Sequence, residues 1–330
     1  MKDRPASSRR IFGKLALAAA AGAVLGAGWV RHAYKADLAA ARARVAQGSK
    51  VVQTRAGPIE VGVSDGQRPM LMIHGTGGGF DQGLHFAQRL TAAGWRVIAP
   101  SRFGYLRSPF PADASSEAQA DALAALLDEL GIERLPVIGG SAGALSALAF
   151  ALRHPTRCTA LVPIVPASYV PTRAATPAPA PWASLAIDAF LSSDLLFWSG
   201  LKLAPDTMLF ALLATDPAVV AQASAEEQAR VRRILWQILP ISERAAGLRN
   251  DARLASRPDP MALERIRAPT LAVSLKDDRF GTFAAAQHIA TTVPGARLLS
   301  YATGGHIWAG HDADLFAKVD AFLRSVSAAA

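Results

Sequence analysis

Five residues, Gly139-Gly140-Ser141-Ala142-Gly143, place one hydroxyl between glycines at the junction of two contrasting runs. Leu135-Pro136-Val137-Ile138 before them reads as a short buried strand. Residues 144–153 (ALSALAFALR) read as a helix that stops at His154-Pro155. A strand that turns directly into a helix forces its central residue into a crowded backbone conformation, which small neighbours relieve. The Ser141 hydroxyl is thereby lifted clear of the sheet and set at a helix N-terminus, the geometry of an activated nucleophile. With 26 Gly in 330 residues, such a pentapeptide would arise by chance in about one chain in ten. The strand-before, helix-after context carries the weight.

A serine nucleophile needs a base, an acid to orient that base, and donors for the oxyanion. Upstream, the strand-like run 69–73 ends in His74-Gly75-Thr76-Gly77-Gly78-Gly79, a backbone-rich loop ahead of a helix expected near 83–93. The N–H of Thr76 or Gly77 can face a developing oxyanion, with the N–H of Ala142 as the second donor. The loop lacks the Lys-Ser/Thr of a phosphate cradle. Downstream, the strand 269–275 is followed by Lys276-Asp277-Asp278-Arg279-Phe280, which sets two acids at the carboxyl end of a strand. A last strand, 296–301, leads into Gly304-Gly305-His306. Of the seven His, only His306 sits on a loop after those acids, so it is the base. His74 leads the Gly-rich loop and reads as structural. His32, His85, His154, His288 and His311 read as surface or capping residues.

This ordered set of four motifs resembles the α/β-hydrolase-fold serine hydrolases over about residues 50–330. The resemblance implies a mostly parallel central sheet covered by helices on both faces, with a helical cap inserted. It also implies that the Asp directly before the Arg of the Asp-Arg-Phe turn is the triad acid, which selects Asp278 over Asp277. One departure is Pro100-Ser101-Arg102-Phe103-Gly104-Tyr105, where many relatives carry Asp-x-x-Gly-x-Gly. It leaves Ser141, Asp278 and His306 intact and is expected to alter the pocket rim.

The remaining elements fit that plan. Segments 50–54 and 59–64 form an expected antiparallel edge hairpin, 97–99 a strand, and 116–130 a helix capped by Ser115 and stopped at Gly131. About a hundred residues separate the strand 159–165 from the one at 270, far more than a crossover needs. The expected organisation is a core over 50–165 and 261–330, with the cap over 166–260. The cap opens with a Pro/Ala-rich linker at 171–181 and continues as apolar helical sequence over 185–213, then helices near 218–239 and 242–255. So apolar a cap implies an uncharged, fairly hydrophobic small-molecule substrate. Ester hydrolysis through an acyl-enzyme is the leading expectation. The alternatives are amide, carbon–carbon bond or perhydrolysis chemistry on the same triad, or a non-catalytic binding member of the fold.

The N-terminus suggests where the protein works. Ser8-Arg9-Arg10-Ile11-Phe12-Gly13-Lys14 resembles a twin-arginine export signal, and residues 15–30 carry no charge. Residues 1–30 are therefore expected to be an export signal or membrane anchor, with membrane contact through 11–30, a periplasmic location and a linker or stalk over 31–49. Residues 1–50 hold ten Lys/Arg and two Asp, which accounts for eight of the nine net positive charges. The rest of the chain is nearly neutral and has no nucleic-acid footprint. A single cysteine, Cys158, excludes an intramolecular disulfide. No Cys/His cluster has metal-ligand spacing and no dinucleotide fingerprint follows a strand, so neither a metal nor a cofactor is expected.

Overall fold

The computed structural model describes residues 28–171 and 181–327. Among them eight strands form one sheet in the order β1-β2-β4-β3-β5-β6-β7-β8. β1 (Ser49–Thr54) and β2 (Gly57–Val63) make the expected antiparallel hairpin at one edge. β3 (Arg68–Ile73), β4 (Trp95–Pro100), β5 (Leu135–Gly140), β6 (Cys158–Ile164), β7 (Leu271–Leu275) and β8 (Arg297–Tyr301) run parallel to one another. β5 and β7 are buried at every position, as strands covered on both faces must be. Their continuous apolar runs are the sequence signature of that burial.

On one face, α4 (Ser116–Glu129), α5 (Gly143–Arg153) and α12 (Thr282–Thr292) bury Leu123, Leu126, Leu127, Leu148, Phe150 and Ile289 against the sheet. On the other, α3 (Gln88–Ala92) and α13 (Asp312–Ser327) contribute Leu90, Leu315, Phe316, Val319 and Phe322. The helix expected near 83–93 is two short pieces, α2 (Phe80–Phe86) and α3, broken at Ala87.

Among the described residues, six α-helices lie between β6 and β7: α6 (Pro181–Ser192), α7 (Asp194–Leu203), α8 (Pro205–Leu213), α9 (Pro217–Gln222), α10 (Ala225–Gln237) and α11 (Ala245–Ser256). The single helix expected over 218–239 is interrupted because the Ser224 side chain accepts from the N–H of Glu227 and starts a new helix there. Phe197, Trp198, Leu201, Met208, Ile234, Leu235 and Leu239 form a core of their own, joined by Tyr105 and Ile307 from the main body.

The stretch 31–49, expected as a linker or stalk, is helical through residue 46. Residues 28–46 form a helix, α1, whose Tyr34, Leu38, Ala41 and Val45 recur at helical spacing. Leu38, Ala41 and Val45 are buried, and Tyr34 meets the Trp198 ring edge-on. Asp37 accepts from the Trp198 indole at 2.8 Å, and the Arg44 guanidinium donates to the carbonyls of Gln237 and Leu239. Apolar matching and buried polar partners dock it on the cap. The export or anchor segment expected over 1–30 lies almost wholly outside the described residues. Among those described, no single helix is long and apolar enough to cross a membrane.

Candidate active site

The elbow forms where β5 meets α5. Ser141 adopts φ 50°, a left-handed conformation that side chains other than glycine seldom take, and its N–H is held by the Ile164 carbonyl at 2.9 Å. The turn is so tight that a Cβ at Gly143 would lie 2.4 Å from the His74 carbonyl oxygen, so only glycine fits beneath the serine.

His306 sits in a 3₁₀ turn after β8. Its Nε2 lies 2.9 Å from Ser141 Oγ and its Nδ1 lies 2.8 Å from Asp278 Oδ2. The Asp278 side chain is fully buried and also accepts from the Thr282 hydroxyl and, at 2.9 Å, from the Phe280 N–H. Burial pushes its carboxyl up. The His306 charge and hydrogen bond, then the Thr282 and Phe280 donors, outweigh that and hold it below the usual carboxylate range. The neighbouring acid does something else. Asp277 accepts from the N–H groups of Gly304 and Gly305 at 3.0 and 2.9 Å, clamping the loop that carries His306. The structure thus brings together Ser141, His306 and Asp278, and leaves Asp277 as a brace.

The Gly-rich loop stands beside the elbow: a Cβ on Gly75 would lie 3.0 Å from that of Ser141. Gly75 donates its N–H to the Gln82 side chain, Gly77 to the Tyr105 hydroxyl at 3.2 Å, and Gly78 to the Gly75 carbonyl. The Gly77 N–H is therefore occupied, which removes it from the oxyanion donors expected from sequence. The N–H groups of Thr76 and Ala142 make no hydrogen bond to a described residue and remain available to an oxyanion.

Behind this loop lies a buried network that motif reading missed. His74 takes the tautomer its partners dictate, with Nδ1–H donating to the Gly75 carbonyl and Nε2 accepting from the Arg102 N–H. Burial and the Arg102 charge hold its imidazole well below the ordinary value. The Arg102 guanidinium forms a two-bond pair with Asp251 of α11 at 2.7 and 2.6 Å. Asp251 also accepts from the Tyr105 hydroxyl, the group that holds Gly77. Burial, then the Asp251 charge, pushes the Tyr105 phenol well up. A second pair runs the opposite way: Arg244 of the cap, fully buried, pairs with Asp81 of α2 at 2.8 Å and donates to the Gly78 carbonyl. The visible signal was the Ser-Arg-Phe-Gly-Tyr departure at 101–105; nothing in the sequence pointed to Asp251 or Arg244.

A family model described as the alpha/beta hydrolase fold matches residues 68–309. The chain is 40% identical over 124 residues to a 2-hydroxy-6-oxononadienedioate/2-hydroxy-6-oxononatrienedioate hydrolase of Paraburkholderia xenovorans, covering 34% of this chain and 43% of that protein. It thus spans less than half the length of that relative. RutD of Stutzerimonas stutzeri, whose name assigns it carbamate hydrolysis, is 31% identical over 244 residues, 68% of this chain and 80% of that one. An alpha/beta hydrolase fold protein from Nakamurella multipartita superposes with a TM-score of 0.66 at 26% identity, over 84% of this chain and 99% of that one. Sheet order, elbow and family match agree, and the chain belongs to the alpha/beta hydrolase fold family.

Proposed function

We propose that the protein is a serine carboxylic-ester hydrolase working through an acyl-enzyme on Ser141. His306, oriented by Asp278, takes the Ser141 proton as the hydroxyl oxygen attacks the ester carbonyl. The N–H groups of Thr76 and Ala142 receive the negative oxygen of the tetrahedral intermediate. His306 then protonates the leaving alkoxide, and water, deprotonated by the same imidazole, releases the acid. The observation that carries this reading is the unbroken relay from Asp278 through His306 to Ser141, at 2.8 and 2.9 Å. An uncharged substrate is favoured because the two buried guanidiniums beside the Gly-rich loop, Arg102 and Arg244, are already matched by Asp251 and Asp81.

Ser141→Ala is expected to lose labelling by a fluorophosphonate and to cut turnover of p-nitrophenyl esters by roughly a thousandfold or more. Retention of a tenth of the activity would sink the mechanism. The likeness to RutD supports one second reading, attack on a carbamate carbonyl by the same triad; kcat/KM for matched ester and carbamate pairs separates the two. The leader supports export to the periplasm. Replacing Arg9 and Arg10 by Lys keeps the charge but removes the guanidinium pair a twin-arginine receptor reads. The enzyme should then accumulate in the cytoplasm, as fractionation of cells will show.

A further inference from the structure

Leu203, at the end of α7, is 85% exposed, the most accessible large hydrophobic side chain among the described residues. It is not isolated. Leu195, Leu196 and Leu203 project from one face of α7, since steps of 100° per residue gather them within about a third of a turn. The opposite face buries Phe197, Trp198 and Leu201 in the cap.

α1 runs antiparallel to α7, because Arg42 pairs with Asp194 at one end while Asp37 pairs with Lys202 at the other. The start of α1 therefore lies toward the end of α7 that carries Leu203. That start bears Trp29, 71% exposed, and Val30, followed by exposed Arg31 and Lys35. In sequence, α1 is preceded by Lys2, Arg4, Arg9, Arg10 and Lys14 ahead of an uncharged apolar run.

We propose that this end of the molecule, the outer face of α7 together with the start of α1, rests on an anionic membrane surface. Exposed leucines on one helix face, a tryptophan at the boundary and flanking cations are what a bilayer interface selects. The sequence leading into α1 adds five more cations, Lys2, Arg4, Arg9, Arg10 and Lys14, and an uncharged apolar run, which a dimer contact would not require.

The arrangement also gives the substrate a route, and this part rests on the ester-hydrolase reading. α8 spans about 13 Å from the membrane-facing end to the triad loops. At its far end the Ala214 carbonyl accepts from the Arg279 N–H, and Thr215 leaves no room for a side chain at Gly305. The Phe210 ring on α8 lies 4.2 Å from the Arg279 guanidinium carbon, and Phe280 packs edge-on against His306. Phe210 and Phe280, each about two-fifths exposed, offer a long acyl chain an apolar track along α8 toward His306.

The test uses the full chain, labelled with an environment-sensitive maleimide at Leu196→Cys, Leu203→Cys or, as control, Leu298→Cys on β8. Cys158 is buried, with its thiol pushed up to about 12, so it stays unlabelled. On phosphatidylglycerol-containing vesicles doped with a brominated lipid, the labels at 196 and 203 should lose roughly half their emission and the label at 298 none. Equal quenching at all three positions, or none at 203 while the protein sediments with the vesicles, overturns the proposal. Concentration-dependent shielding of the labels without vesicles assigns the face to a second copy and overturns it too. Leu203→Glu should slow hydrolysis of a long-chain ester held in vesicles by roughly tenfold and leave a water-soluble short-chain ester unaffected; equal rates on both would refute the route. The quenching does not depend on turnover, so failure of the hydrolase reading would show separately, in Ser141→Ala.

Discussion

Two adjacent carboxylates divide one task at the residue scale. Asp278 touches the imidazole, whereas Asp277 holds the two glycine N–H groups just before it. Asp278→Asn should cost about four orders of magnitude in kcat by losing the tautomer and charge that His306 needs. Asp277→Ala should cost only about tenfold, because it loosens the loop without touching the ring. Initial rates on one ester decide it, and a larger loss at Asp277 would reverse the assignment. Tyr105 invites a similar test: Tyr105→Phe strips Gly77 and Asp251 of a shared hydroxyl. It should lower kcat roughly tenfold with KM little changed, because the loop holds the oxyanion rather than the ground state. At this scale the sequence was informative, because the triad types sit at strand ends where the chain must turn. It was silent about which N–H groups are free, since Gly77 is occupied by a hydroxyl 28 residues away.

Elements were legible in proportion to how local their causes are. Ser115 starts α4 by accepting from Ala118, a contact three residues long, and that boundary could be read directly. The Ser224 to Glu227 bond that splits α9 from α10 is equally local, yet the single helix expected over 218–239 passed over the Ser-Ala-Glu-Glu run at 224–227 that encodes it. The docking of α1 was less visible, because its partners on α7 and α10 lie some 150 to 195 positions away. The same holds for the two ion pairs between cap and core. Asp251→Asn leaves the Arg102 guanidinium, 4% exposed, with no full counter-charge. It should destabilise the fold by about 3–5 kcal/mol, read from urea midpoints at constant m. A loss under about 1 kcal/mol would show that the pair is not sealed from water.

For the whole molecule, acid is the revealing variable. Burial and the Arg233 and Arg230 charges lower His85 to about 4, against opposing pulls from Asp312 and Asp81. His74 is displaced in the same direction. Both imidazoles are neutral when folded and take a proton on unfolding anywhere below the ordinary histidine value. The His85 contribution is present above about pH 6.5 and is lost as the pH falls toward 4, and His74 acts in the same direction. His85→Gln should flatten that slope by up to about 3 kcal/mol, measured as the difference in unfolding free energy between pH 7.5 and pH 4.5. An unchanged slope would mean that His85 titrates normally in the fold.

The crossed ion pairs, Arg102 to Asp251 and Arg244 to Asp81, also limit how this enzyme can move. Lifting the cap would part both pairs at once, exchanging two close buried ion pairs for four separately hydrated charges. Cap and core are thus fastened at two points beside the Gly-rich loop, which favours a cap that stays in place through the catalytic cycle over one that swings as a lid. Turnover should be frictionless in the practical sense: adding glycerol or sucrose to thicken the solvent should leave kcat for a soluble ester unchanged. A rate falling in proportion to viscosity would mean that the fastenings open and close with each substrate.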